Sequence, residues 1–137
     1  AMLVEAYMRF KNIRFYGRGS ATLGRSQNRG RREPDESYNL ETKKPIPDLI
    51  LEITVTSGGI NKLEIYKRLK IPEVWFWEDG VLDVYHLRLE GNTAEYQRIS
   101  NSEEVKGIDL DLLLRCVNMV NHVDAIKTFQ QALVANN

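Results

Sequence analysis

The stretch PDLILEITVTSGGINK, residues 47–62, decides how the chain folds. Odd positions Leu49, Leu51, Ile53 and Val55 are all apolar, as the core-packed face of a β-strand should be. The opposite face carries Asp48, Ile50, Glu52, Thr54 and Thr56. Ser57-Gly58-Gly59 then breaks the strand, and Ile60, Leu63, Tyr66 and Leu69 recur at helical spacing. A strand this hydrophobic, with two carboxylates on one face and Lys62 just past its end, needs a chemical explanation.

The flanking sequence supplies the rest of the sheet. LVEAYMRFKN has helical apolar spacing, and IRFYGRGSATLG reads as a strand bent at Gly17 and Gly19. PDESYNL is a short strand, ETKKPIP a turn, and residues 48–56 the next strand. IPEVWFWED is an aromatic strand with Trp75 and Trp77 on one core-packed face, and Glu73 and Asp79 at its ends are read as turn caps. GVLDVYHLRLEGNTAEYQRIS forms a hairpin turning at Gly91-Asn92, and residues 109–135 make one or two helices. The order predicts an α/β (α+β) domain with helices packed against a mixed sheet.

Strand geometry limits the carboxylates. Asp48 and Glu52 are four residues apart, so their Cα atoms are separated by roughly 13 Å, too far to share one hard cation directly. If Leu40 pairs with Pro47 in an antiparallel hairpin, paired positions sum to 87 and Asp35 falls opposite Glu52. Opposed side chains lie about 4.5–5.5 Å apart at Cβ, within reach of a shared divalent ion. Without a cation the two like charges repel. Lys62, on the first turn of the following helix, can point back at the strand end, orient a water and stabilise charge on a phosphate. Asp48 has the simpler reading of a cap for turn amides.

Composition narrows the class. The 137 residues suffice for a single domain with a substantial core, and 42% hydrophobic with 28% charged residues is ordinary for a globular protein. Nothing resembles a membrane span or a signal peptide, so a cytoplasmic location is expected. The lone Cys116 excludes an internal disulfide and reads as a reduced core thiol. His86 and His122 lack ligand-spaced neighbours, and Ser57-Gly58-Gly59 lacks the ending of a P-loop. A net charge of zero hides a basic run: Arg9, Lys11, Arg14, Arg18, Arg25, Arg29, Arg31 and Arg32 occur with no acidic residue between Ala6 and Arg32. Such a local excess attracts polyanions.

RREPDESYNL, then PDLILEITVTSGGINKLEIYKRLKIPEVWFWEDG, then GIDLDLLLRCV resembles the Uma-two family of restriction-endonuclease-like proteins in the PD-(D/E)XK nuclease superfamily. The likeness runs from about Ile13 to Val117. It implies a restriction-endonuclease-like fold and a divalent metal, Mg²⁺ or Mn²⁺, held by carboxylates. Pro34-Asp35 matches the Pro-Asp element and Glu52-Ile53-Thr54 the second element. Thr54 stands where the superfamily lysine falls, and Lys62 matches a lysine relocated to the next helix. The resemblance also implies a further N-terminal segment, so residues 1–137 are expected to form one N-terminally truncated nuclease-like domain.

The resulting expectation is an endonuclease hydrolysing DNA phosphodiester bonds. Asp35, Glu52 and Lys62 are its catalytic residues, and Asp35, Glu52 and the Ile53 carbonyl its metal ligands. Asp48 and Thr54 are additional site candidates, and Arg25, Arg29, Arg31 and Arg32 contact the nucleic acid. DNA and a second copy of the chain are the expected partners, with no membrane. The alternative is a catalytically inactive nuclease-fold module for DNA binding or assembly. A weaker third reading is a homodimeric structural protein. If the basic segment docks DNA, log affinity for duplex should fall with log salt at a slope of about −3 to −4, for four phosphate contacts. A flat dependence, measured by fluorescence anisotropy, excludes that segment as the docking surface.

Overall fold

Residues 49–52 are buried on both faces of the strand, with Leu49 and Ile50 fully enclosed and Glu52 only 1% exposed. This strand is therefore central, which explains its nearly continuous apolar run better than a single packed face does. The computed structural model describes residues 2–18, 35–53, 59–78 and 80–136. Its elements are α1 (Met2–Phe10), β1 (Phe15–Gly17), β2 (Glu36–Leu40), β3 (Leu49–Glu52), α2 (Gly59–Arg68), β4 (Glu73–Glu78), β5 (Val81–Glu90), β6 (Thr93–Ile99), α3 (Leu110–Val117) and α4 (His122–Ala135). They form the expected mixed α/β arrangement. The predicted strand over 48–56 is seen as β3, with Ile53 leaving it; residues 54–58, Gly19 and Asp79 lie outside the described residues.

Among the described residues six strands lie in sequence order, β1 to β6, and only β3 and β4 are parallel. A parallel pair needs a crossover, and α2 provides it. The β5–β6 hairpin turns through Gly91, whose φ of 58° favours glycine. The predicted tail divides into two helices. Asp109 caps α3 by accepting from Leu112 N–H, and Asn121 caps α4 by accepting from Val123 and Asp124.

Two apolar layers cover the sheet. Leu49, Leu51, Trp75 and Val84 pack with Val4, Met8, Leu112, Leu113 and Phe129. On the other face Ile50 and Val74 pack with Tyr66 and Ile71. Cys116 is buried in the first layer, as expected, and burial pushes its thiol pKa up. Gly107 has a φ of 82°, and a Cβ there would lie 2.8 Å from the Tyr7 hydroxyl, which donates to the Lys106 carbonyl. Among the described residues no helix is long and apolar enough to cross a membrane.

Glu73, at the start of β4, is fully buried and does more than cap its own turn. Its carboxylate accepts from Trp75 Nε1 at 2.7 Å, from Ser102 Oγ, and from the amides of Glu103 and Glu104 at 2.9 and 3.2 Å. His86 Nδ1 lies 3.1 Å from it. These bonds bind the loop that leads into α3 to the sheet. Arg88 clasps Glu103 on the same loop through two guanidinium nitrogens.

Glu73→Ala leaves several buried donors unsatisfied and should cost about 3 kcal/mol or more in urea unfolding. An unchanged midpoint would show that the loop is held otherwise. The Arg88 hydrogen bond holds the Glu103 carboxyl below its ordinary value of 4.5. A carboxyl with a depressed folded pKa stabilises above its unfolded value, and that contribution is lost as pH falls through the folded one. Glu103→Gln should therefore be less sensitive to acid than the wild type below about pH 4.5, as followed by thermal melts.

Candidate active site

The β2–β3 register brings the two predicted carboxylates together. Glu36 pairs with Leu51, Ser37 with Ile50 and Tyr38 with Leu49, so every pair sums to 87, the sum of a hairpin with Leu40 opposite Pro47. One step further, Asp35 flanks Glu52, and its Oδ2 accepts from the Ile53 amide at 2.8 Å. Alternation puts Glu52 on the same face as Ile50, the face that α2 covers. Ile53 itself is 44% exposed, so the strand end opens to solvent immediately beyond the buried carboxylate.

Helix α2 completes the cluster. Lys62 Nζ lies 3.6 Å from Glu52 Oε2, and the lysine side chain is only 11% exposed. It points back at the strand, as its place on the first turn suggested. Tyr66, one helical turn later, donates its hydroxyl to Glu52 Oε1. Tyr66 lies in the apolar stripe of α2 and is fully buried. Its spacing of four from Lys62 puts both side chains on one face of α2.

Asp48 stands apart. At the far end of β3 it accepts from the Leu40 amide at 2.8 Å and from Lys44 Nζ at 2.7 Å, closing the 41–47 turn. Arg18 holds the same turn through the carbonyls of Lys44 and Pro45. Asp48 is thus a turn cap and does not join Asp35 and Glu52. Thr54, Pro34 and the basic residues Arg25, Arg29, Arg31 and Arg32 lie outside the described residues. Glu5, on α1, accepts from the Tyr38 hydroxyl at 2.5 Å, and Glu36 lies 3.4 Å from the same hydroxyl. Tyr38 belongs to the opposite core layer, so Glu5 does not reach the Glu52 face.

The cluster holds two carboxylates and one ammonium in a setting partly shielded from water. Opposite charges at this range interact far more strongly than at an exposed surface. Such an arrangement suits a polar ligand that needs hard oxygen donors and a cationic neighbour.

The family model described as "Putative restriction endonuclease" (Uma2) matches residues 1–119, which leaves α4 and the few residues flanking it outside the match. A search of the curated proteins finds no match to the chain. The matched segment contains the whole sheet, the crossover helix and the Asp35–Glu52–Lys62 cluster. With its mixed six-stranded sheet and flanking helices, the chain belongs to the Uma2 (Uma-two) family, of restriction-endonuclease-like fold and nuclease-like function at the level of the family.

Proposed function

We propose that this chain is a metal-dependent endonuclease hydrolysing phosphodiester bonds in DNA. The observation that carries the reading is the convergence on one end of β3 of Asp35, which lies just before β2 and accepts from the Ile53 amide, Glu52 of β3 itself, and Lys62 of α2.

The residues fit a hard divalent cation. Asp35 and Glu52 provide carboxylate oxygens, the Ile53 carbonyl is a further donor, and Mg²⁺ is commonly held by one or two carboxylates with water filling its remaining positions. Among the described residues no group of three His, Cys, Asp or Glu side chains is placed to hold a metal, and Asp35 and Glu52 are the two carboxylates at this end of β3. A bound Mg²⁺ or Mn²⁺ supplies Lewis-acid polarisation of the phosphate and lowers the pKa of a water. Asp35, tied to the Ile53 amide, keeps its orientation relative to the end of β3. Lys62 orients the attacking water and offsets negative charge developing on the phosphate. Arg25, Arg29, Arg31 and Arg32 bind the DNA backbone in this reading, supported by the charge run alone. One site cuts one strand per event, and a second copy of the chain would bring the second site for concerted cleavage of a duplex.

Calorimetric titration of Mn²⁺ tests the site. The wild type should bind, and Asp35→Ala/Glu52→Ala should not. Lys62→Met removes a positive charge beside Glu52, so it should bind Mn²⁺ at least as tightly while cleavage of plasmid DNA falls about 10²-fold or more. No binding by the wild type would leave a nuclease-fold module for DNA binding or assembly.

A further inference from the structure

Helix α2 brings more to Glu52 than its lysine. Tyr66 is fully buried, and its hydroxyl donates to Glu52 Oε1 while Lys62 Nζ lies 3.6 Å from Oε2. The two side chains are four residues apart and leave the same face of the helix, so one rigid element addresses both oxygens of one carboxylate. Filling the space between Ile50, Ile71 and Val74 needs only an aromatic ring. A phenylalanine would do that and would leave the buried oxygen without this donor.

We propose that Tyr66 is a positioning residue. By holding Oε1 it fixes the rotation of the Glu52 carboxylate, so that Glu52 offers a divalent cation one oxygen, Oε2, on the side of Lys62. The inference rests on the metal-site reading above and adds to it the mode of ligation. A carboxylate clasped on Oε1 resists the rotation that would present both oxygens equally to the cation. The same clasp keeps the ligating oxygen at a set distance from the ammonium that orients the water. Partners of metal ligands that act this way typically change metal affinity 10- to 100-fold when removed.

The test compares wild type, Tyr66→Phe, Glu52→Gln and Glu52→Ala. Mn²⁺ affinity is measured by calorimetry, and infrared difference spectra are recorded on adding Mg²⁺ to protein with ¹³C-labelled glutamate. Tyr66→Phe should bind Mn²⁺ about 10-fold more weakly at the same stoichiometry. The splitting between the two carboxylate stretches should change from the one-oxygen to the two-oxygen pattern, and Glu52→Gln identifies the band. A tyrosine serving packing alone would lower the melting temperature and leave the splitting unchanged. Wild-type affinity and an unaltered splitting in Tyr66→Phe, with binding lost in Glu52→Ala, would overturn the inference and leave the metal site standing. No binding by the wild type, or undiminished binding by Glu52→Ala, would overturn the metal reading and this inference with it. Should Tyr66→Phe not fold, the wild-type spectrum decides: a one-oxygen pattern from Glu52 supports the clasp and a two-oxygen pattern refutes it.

Discussion

A carboxylate almost wholly withdrawn from water, between the middle of a sheet and a helix, is the constraint from which the rest of this site follows. Removing an ionised group from solvent costs several kcal/mol unless hydrogen bonds and opposite charge compensate it. Glu52 receives both from α2, a hydroxyl from Tyr66 and an ammonium from Lys62. Helix α2 therefore has to dock on β3 in one register. A slide of one residue along the helix would carry both donors off the carboxylate, since side chains on a helix turn by about 100° per residue.

The same demand shapes the hairpin that precedes β3. Asp35 lies beside Glu52 only because β2 and β3 pair in a single register, and a slip of one residue would turn every side chain to the opposite face. Asp48 secures that register from the other end, binding the Leu40 amide and Lys44 across the turn. One aspartate thus governs the pairing while another, at the far end of the same hairpin, reaches the site. Glu73 does a comparable job in the neighbouring strand, where it binds a distant loop to the sheet.

Much of this was legible in the residues, and what was not has physical reasons. Alternation in β3 told which face each side chain takes but not which partner it meets, so Asp35 fell opposite Glu52 only on the assumption that Leu40 pairs with Pro47, and the observed pairs keep that register. Lys62 was legible from its place on the first turn of α2. The hydroxyl of Tyr66 was hidden because an aromatic at helical spacing reads as core, and the ring is core; only the position of Glu52 across the layer gives the oxygen its meaning. Glu73 read as a local cap because its partners, Ser102 to Glu104, lie about thirty positions away, and sequence patterning carries no record of such pairings. Asp48 had two readings from its sequence, and the contact with Lys44 selects the cap.

The parallel pairing of β3 with β4 bears on the order in which the site can be assembled. The Asp35–Glu52 half lies within a hairpin joined by a short turn, so its loop closure is cheap in entropy and it can form early. The Lys62–Tyr66 half needs the whole crossover, because α2 gains its apolar cover only when Val74 of β4 has come alongside Ile50 of β3. Closing that longer loop is slower, as non-local pairing generally is. On that order of assembly the two acidic groups would stand side by side before the helix that shields one of them arrives. Because Tyr66 and Lys62 both belong to α2, undocking of that one helix would withdraw both partners from Glu52 at once.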